Sequence, residues 1–276
     1  MTKTNQQKVK DFLINNGVII VMFILVIYTG FTSDNFFTKN NFMNILMNMS
    51  SRLVIALGIA GCVITAGCDL SAGRMIGFGA CISGMLLQRM DYSGKFFPDM
   101  QPLNVFVVAL IAMLVCAAFG TVTGFFIAYL NVPPFIATLA MMEIVYGIGL
   151  IVTNATPLGG YVEQYTNVSN GKFLGINYLI WIAIIVAAIT WFIFNMTRHG
   201  KYMYAIGGNP QAAEVAGVPV KATLILIYMK AAAMYGLAGF MLGAKAGGAS
   251  VQTGYGYEME AIAACTIGGV SVTGGD

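Results

Sequence analysis

Apolar segments about as long as a lipid bilayer is thick follow one another along almost the whole of this chain. A membrane-spanning helix needs about 20 apolar residues. Of 276 residues, 58% are hydrophobic and 9% are charged, whereas a soluble domain carries roughly 25% charged residues. A chain of this composition cannot hide its apolar surface from water by folding on itself. The sequence therefore predicts an all-α, polytopic transmembrane helical bundle whose solvent is lipid.

Seven apolar segments and the start of an eighth are separated by polar and turn-forming residues. They cover 17–31, 52–66, 73–87, 103–130, 134–153, 178–196 and 222–243, and the eighth begins near 261. The second and third are short for a span. The first resembles a secretory signal, but no small-x-small cleavage pattern follows it, which favours a retained helix. We expect one transmembrane domain over 1–276, and the apolar, glycine-rich ending predicts a truncated sequence with further helices beyond it.

The polar segment 197–221 lies between two apolar segments and contains Arg198, Lys201 and Lys221. Irregular backbone is not tolerated against lipid, so this segment lies outside the membrane. Its positive charge predicts the cytoplasmic side, and so does that of three lysines near the N-terminus. Six spans separate the two basic clusters, so both agree on a cytoplasmic N-terminus. On this topology Arg74 belongs to an inner loop.

Asp69 and Ser71 lie between the two short apolar segments, in the run Gly-Cys-Asp-Leu-Ser-Ala-Gly-Arg. One interpretation is a simple inner loop in which Asp69 caps the third helix, since Asp is a favoured N-cap. The other is a broken helix beside a translocation path, a feature that transporters carry near the membrane midplane. The sequence leaves both interpretations open. With Asn131, which follows the long fourth segment, these residues are the candidates for a polar path.

Two charged residues fall inside predicted spans, Glu143 in the fifth segment and Lys230 in the seventh. At 1.5 Å per residue both side chains would sit roughly 12–14 Å above the inner face. An isolated charge there costs at least about 2.5–3.5 kcal/mol, so we expect an intramembrane Glu143–Lys230 ion pair. The alternatives are that either residue faces a watery cavity or that Glu143 carries protons.

Several classes of function are disfavoured by what the chain contains. A single histidine argues against a catalytic triad or a histidine metal site, and the five cysteines show no metal-ligand spacing. The glycine pairs at 268–269 and 274–275 lack the Gly-Lys-Ser/Thr of a phosphate loop. The net charge of +3 is dispersed, which argues against nucleic-acid binding. We therefore expect no catalytic residue, no metal and no cofactor held by this chain.

The segment 207–217, Gly-Gly-Asn-Pro-Gln-Ala-Ala-Glu-Val-Ala-Gly, resembles the cytoplasmic coupling segment of ABC importer permeases. That segment typically reads Glu-Ala-Ala, three residues, then Gly. Gln stands here in place of the first Glu, so the resemblance implies the short helix but no particular salt bridge to the ATPase. It implies coupling through Gly208, Asn209, Pro210, Gln211, Ala212, Ala213 and Gly217, with both alanines buried against the partner and Gly217 easing a turn.

Longer blocks resemble the ribose/galactose/xylose branch of sugar permeases. They are Asp-Leu-Ser-Ala-Gly at 69–73, Asn-Val-Pro-Pro-Phe-Ile-Ala-Thr-Leu at 131–139 and Tyr-Glu-Met-Glu-Ala-Ile-Ala-Ala at 257–264. The blocks Ile-Ala-Leu-Gly-Ile-Ala-Gly at 55–61 and Leu-Leu-Gln-Arg-Met-Asp at 86–91, followed by Phe-Pro-Asp-Met at 97–100, are similar to the galactose-transporting members. The resemblance runs from about the second apolar segment to the end of the chain.

This resemblance implies a permease subunit of an ATP-driven monosaccharide importer, most similar to those for galactose and methyl galactoside. It implies a multi-pass protein of a bacterial plasma (inner) membrane that works by alternating access, paired with a second permease copy. ATP would be bound by a separate ATP-binding subunit, and an extracytoplasmic sugar-binding protein would deliver the cargo. The alternatives are an ion-coupled secondary transporter, or the same machinery for ribose, xylose, an autoinducer or a nucleoside. A membrane enzyme or a non-transport scaffold ranks last, since the chain has one histidine and no carboxylate pair.

Overall fold

Helices account for nearly all the regular structure in the computed structural model, which describes residues 17–33 and 35–275. The chain divides into two units, Met1–Asn48 and Met49–Asp276. In chain order the elements are α1 (Gly17–Thr32), α2 (Lys39–Ile64), α3 (Ala72–Leu86), α4 (Val105–Leu130), α5 (Pro134–Thr153), α6 (Glu163–Asn170), β1 (Lys172–Phe173), β2 (Ile176–Asn177), α7 (Tyr178–Met196), α8 (Arg198–Gly208), α9 (Pro210–Val215), α10 (Val220–Ala246) and α11 (Tyr257–Ile267).

Five helices within the described residues are long and apolar enough to cross a membrane, namely α2, α4, α5, α7 and α10. Two further apolar helices are shorter, one in α1 and the other α3. The predicted helical membrane bundle is therefore confirmed. The count of at least seven spans stays a prediction, because it requires both shorter helices to cross as well.

The helix bounds follow the apolar segments closely, with one exception. The segments predicted at 134–153 and 178–196 are α5 and α7, residue for residue. The exception is α2, which begins at Lys39 rather than at 52, so the second segment is not short. Asn41, Asn44 and Asn48 lower the hydropathy of its first half, and hydropathy was the signal used to find it.

The first unit exposes apolar side chains around most of α1, including Phe23, Leu25 and Ile27. A helix that is hydrophobic on all sides suits lipid or a protein interior and not water. The start of α2 is fixed by Thr38, whose hydroxyl accepts a hydrogen bond from the Asn41 N–H at 3.3 Å. This is the usual way in which a threonine caps a helix N-terminus.

The core of the second unit is built around α10, which packs along α4 and α3. Close approach of these helices depends on small residues. Gly120 and Gly124 of α4 lie against the α10 backbone near Tyr228 and Ile225, and Gly239 of α10 lies against the α3 backbone. Small residues allow such backbone approach in membrane proteins. These glycines therefore serve packing within this chain.

Replacing Gly120 with leucine should separate α4 from α10. Any side chain at this position would overlap the Tyr228 backbone and the Ala232 side chain, and overpacking of this kind costs about 1–3 kcal/mol. We expect a lower thermal midpoint in detergent and less folded protein in the membrane. Gly147→Leu is the matched control, because no atom lies within 4 Å of a Cβ built there. Equal midpoints for the two variants would contradict this account of the packing.

Two polar interruptions lie alongside helices of the second unit. In the first, 65–71, Asp69 accepts a hydrogen bond from Tyr235, which lies near the middle of α10. In the second, 247–256, the backbone of Val251 and Thr253 lies against Gly77 of α3. Irregular backbone at membrane depth is tolerated where protein surrounds it. Both interruptions therefore pack against helices of the second unit.

Candidate functional site

The segment expected to couple folds as two short helices, α8 and α9, each started by a capping side chain. Thr197 Oγ1 accepts a hydrogen bond from Gly200 N at 3.3 Å. Asn209 Oδ1 accepts one from Ala212 N at 2.9 Å, and Pro210 occupies the first turn of α9. Thr and Asn are favoured caps, and proline suits the first helical position because its missing N–H is not needed there. The local sequence therefore determines where α9 begins.

The end of α9 is a glycine turn. Gly217 has φ +82°, and the N–H groups of Gly217 and Val218 donate to the carbonyls of Glu214 and Ala213, both at 3.0 Å. This is the Schellman arrangement, in which a left-handed glycine closes a helix C-terminus. Gly217 thus makes the turn that the resemblance implied for it.

The two alanines of α9 face in different directions. Ala213 is only 5% exposed, because it packs into the protomer itself. Ala212 is exposed, as is Gln211, and Val215 is 90% exposed. The expectation that both alanines are buried against a partner is therefore wrong for Ala213. The exposed surface of α9 consists of Pro210, Gln211, Ala212, Glu214 and Val215.

Helix α8 joins this surface to the bundle. Met203 and Ile206 are buried on its inner face, and Gly207 lies so close to the carbonyl of Ile64, at the end of α2, that no side chain would fit. Gly275 N donates to the same carbonyl at 3.0 Å. A force applied at α9 would therefore reach α2 through packed backbone.

His199 is half-buried on α8 and lines a cleft with Lys230 and Thr190. Its Nε2 has no hydrogen-bond partner among the described residues. Burial, and then the positive charge of Lys230, lowers the pKa of His199 from the usual 6.5 to about 4. The imidazole is therefore neutral in the folded protein at neutral pH.

The lowered pKa of His199 predicts a stability loss in acid. Between about pH 6.5 and 4 the unfolded chain binds a proton at this residue that the folded chain does not, so folding is weakened as the pH falls through that range. Thermal midpoints of the wild type and of His199→Phe, measured from pH 7.5 to 4.5, test this. The variant should lose less stability below pH 6.5, and parallel curves would exclude His199 as a cause.

Asp69 and Ser71 lie together in the break between α2 and α3. The Asp69 carboxyl accepts hydrogen bonds from Ser71 N at 3.0 Å, from Ser71 Oγ at 2.6 Å and from Tyr235 OH at 3.0 Å. All three residues are buried. Ser71, not Asp69, precedes the first residue of α3. The carboxyl thus ties the break to α10.

Asn131 does not lie beside Asp69 and Ser71. It ends α4 in a left-handed conformation, with φ +52°, and is exposed. No hydrogen bond joins it to Asp69 or Ser71 within the described residues. The link from this region to the break is Thr138 of α5, whose hydroxyl donates to the carbonyl of Cys68 at 3.2 Å. The sequence signal at 131–133 therefore marks a helix end.

The structure does not bring Glu143 and Lys230 together. Glu143 is exposed on α5, which packs on α3 and α4. Lys230 is half-buried on α10 and lines the cleft with His199, between α2, α7 and α8. No ion pair joins the two side chains within the part of the chain that the structure describes. The two residues were expected to meet because they lie at similar positions along their helix axes. The arrangement of α5 and α10 around the bundle keeps them apart.

Arg74 is the polar residue whose place the sequence analysis missed. It was expected in an inner loop, but it is buried in the first turn of α3, with its guanidinium between the rings of Tyr146 and Tyr255. Tyr146 lies in the second half of α5, and Tyr255 lies in the interruption that follows α10. The only signal in the sequence was a positive residue directly after the Asp69 motif. These residues with Gln252 are called the Arg74 cluster below.

Comparison with known proteins agrees with the resemblance. Residues 41–275 match the family described as branched-chain amino acid transport system / permease component. The galactose/methyl galactoside import permease of Escherichia coli is 39% identical over 282 residues, which is 100% of this chain and 84% of that protein. The galactose/methyl galactoside import permease of Haemophilus influenzae is 41% identical over 282 residues, which is again 100% of this chain and 84% of that protein.

The ribose import permease of Escherichia coli is 32% identical over 270 residues, which is 96% of this chain and 80% of that protein. No solved structure matches the chain. Similarity of this extent, over nearly the whole length, goes with a common fold and a common transport mechanism. The chain belongs to this family of ABC importer permeases, as a multi-pass membrane transport subunit of the galactose and ribose type.

Proposed function

We propose that this chain is the permease subunit of an ATP-driven importer for a neutral monosaccharide, with galactose or methyl galactoside as the cargo. The observation that carries the proposal is identity of 39% to 41% with galactose/methyl galactoside import permeases over 100% of the chain. The ribose import permease is a more distant relative. Few charges inside the spans suit a neutral cargo, because no buried counter-charge is needed.

The energy would come from a separate ATP-binding subunit through the segment 197–221. The exposed surface of α9, which includes Gln211, Ala212, Glu214 and Val215, would sit in a cleft on that subunit. Gly208, Asn209, Pro210 and Gly217 shape the helix that presents it, and Ala213 anchors it. This requires 197–221 and the N-terminus to be cytoplasmic, as the basic residues predict. The chain itself would bind no ATP.

The sugar would cross between two half-bundles, delivered from outside by a sugar-binding protein. A second copy of the chain would complete the path in a homodimer. Asp69 and Ser71 lie where a broken helix meets α10, the kind of place at which transporters form solute sites. Asn131 would act at the end of α4. Nucleotide-driven closure of the ATPase would then bias the bundle between two states.

Uptake by proteoliposomes tests the proposal. The permease is reconstituted with an ATP-binding subunit and a sugar-binding protein of the same organism, and radiolabelled galactose accumulation is measured with ATP inside. We expect accumulation that needs ATP and persists when an uncoupler abolishes the proton gradient. Accumulation that collapses with the uncoupler at constant ATP would favour an ion-coupled secondary transporter. Preference for ribose over galactose would keep the mechanism and change the cargo.

A further inference from the structure

A cation lies buried beside the broken helix, held by aromatic rings rather than by a carboxylate. The Arg74 side chain is 9% exposed. Its guanidinium carbon lies 3.9 Å from the centre of the Tyr146 ring and 4.3 Å from that of Tyr255. Cation–π contacts of this kind stabilise a cation most when it is desolvated. The two rings therefore keep a positive charge inside the bundle.

Hydrogen bonds connect the members of the Arg74 cluster across three elements. Arg74 Nη1 donates to Gln252 Oε1 at 2.7 Å and to the Val251 carbonyl at 3.4 Å. Gln252 Nε2 donates to the Tyr146 hydroxyl at 3.1 Å. The cluster thus joins the first turn of α3 to the second half of α5 and to the interruption after α10.

Two buried polar atoms at this place have no partner among the described residues. One is Arg74 Nε, and the other is Oε2 of Glu258. Glu258 is 6% exposed and lies against Gly73, the neighbour of Arg74. An unsatisfied buried donor or acceptor destabilises the fold, and does so more strongly when the group is charged. An open donor on Arg74 and an open acceptor on Glu258, which packs against the neighbouring Gly73, indicate a place for a molecule that supplies both.

We propose that the Arg74 cluster and Glu258 form a contact site for a neutral, polyhydroxylated solute on its way through the bundle. The site lies directly after the Asp69 break, and this inference rests on the proposed function. It assigns a substrate-contacting role to residues for which the sequence analysis predicted none.

The chemistry of the site selects the class of solute. A cation would be repelled by Arg74 and an anion by Glu258, whereas a hydroxyl group accepts from Arg74 N–H and donates to the Glu258 carboxylate. Tyr255 is 59% exposed, so one part of its ring is free to pack against the C–H face of a sugar ring. A site that combines an arginine, a carboxylate and an aromatic ring therefore suits a pyranose and not an ion.

A purely structural role is the competing explanation, since the cluster also braces three elements. The two roles differ in one measurable quantity, the number of sugar molecules moved per ATP hydrolysed. If the cluster has only a structural role, a variant should lower the abundance of the permease, the ATPase rate and the uptake together. If the cluster contacts the solute, a variant should lower sugar uptake while the ATPase continues to hydrolyse ATP.

Tyr255→Ala is the test variant, because Tyr255 is exposed and its hydroxyl makes no hydrogen bond within the described residues. The complete importer is reconstituted, and galactose uptake and ATP hydrolysis are measured on the same vesicles. We expect Tyr255→Ala to move at least 5-fold less sugar per ATP, with an ATPase rate within 2-fold of the wild type. Tyr255→Phe, which keeps the ring, should retain the wild-type ratio.

Tyr28→Ala is the matched control, since Tyr28 is also exposed and lies in α1. It should leave the ratio unchanged. Glu258→Gln is a second test, since it keeps the shape but removes the charge of the acceptor, and it too should lower the ratio. A wild-type ratio in both Tyr255→Ala and Glu258→Gln would overturn the contact site while leaving the proposed function intact. A wild-type complex that accumulates no monosaccharide would contradict both the contact site and the proposed function.

Discussion

Val215→Asp is expected to lower ATP-driven sugar uptake at least about 30-fold, which corresponds to losing about 2 kcal/mol of coupling to the partner at an interface hot spot. Val215 is 90% exposed at the end of α9 and makes no contact that the fold needs. A carboxylate added at this apolar position must lose its hydration when the ATPase binds, which costs free energy. The variant should therefore fold normally and fail to couple.

The measurement is uptake by the reconstituted importer, with copurification of the ATP-binding subunit as a second readout. Val215→Ile keeps the apolar surface and should retain uptake. Ala213→Asp should behave differently from Val215→Asp, because Ala213 is buried in the protomer and the change should lower the amount of folded permease. If Val215→Asp is present at normal abundance and transports like the wild type, the exposed surface of α9 is not where the ATPase acts.

Asp69→Ala is expected to reduce the free energy of unfolding by about 3–5 kcal/mol, because three buried donors lose their acceptor together. They are Ser71 N, Ser71 Oγ and the Tyr235 hydroxyl. Tyr235 is fully buried, so its hydroxyl has no access to water in compensation. The break between α2 and α3 should then lose its attachment to α10. Thermal unfolding in detergent and abundance in the membrane measure the effect.

Tyr235→Phe removes one donor and should cost about 1 kcal/mol. Because the two residues share a hydrogen bond, the double variant should be less destabilised than the sum of the single variants. Strictly additive effects, or an Asp69→Ala protein as stable as the wild type, would show that this network does not hold the break in place. An Asp69→Asn variant that is stable but inactive would assign the carboxyl to transport as well.

Much of the bundle could be predicted because its signals are local. Residues 134–153 and 178–196 carry hydropathy that only a membrane helix satisfies, and the helices begin and end at those residues. Asn209, Pro210 and Gly217 determine α9 by bonds to their own neighbours. The start of α2 was missed because asparagines in its first half resemble a loop by hydropathy, although helical hydrogen bonding continues through them.

The partners of polar residues could not be predicted in the same way. Glu143 and Lys230 stand at equal depth along their helices, and the sequence contains no information on how α5 and α10 are arranged around the bundle. The structure separates them and instead surrounds Arg74 with Tyr146 and Tyr255, which come from distant parts of the chain. Ala213 illustrates the same limit, because a helix of six residues has no periodicity long enough to reveal its buried face.

From the sequence alone it could be predicted that lipid surrounds this protein, where most of its helices lie and which segment lies outside the membrane. These follow from transfer of apolar residues into lipid and from hydrogen bonds within a few residues, which need no knowledge of the rest of the fold. Only the tertiary structure decided which side of α9 is free, that the break at Asp69 is tied to Tyr235, and that Arg74 lies inside the bundle. Those contacts join residues far apart in the chain, and only the packing of whole helices against each other brings them together.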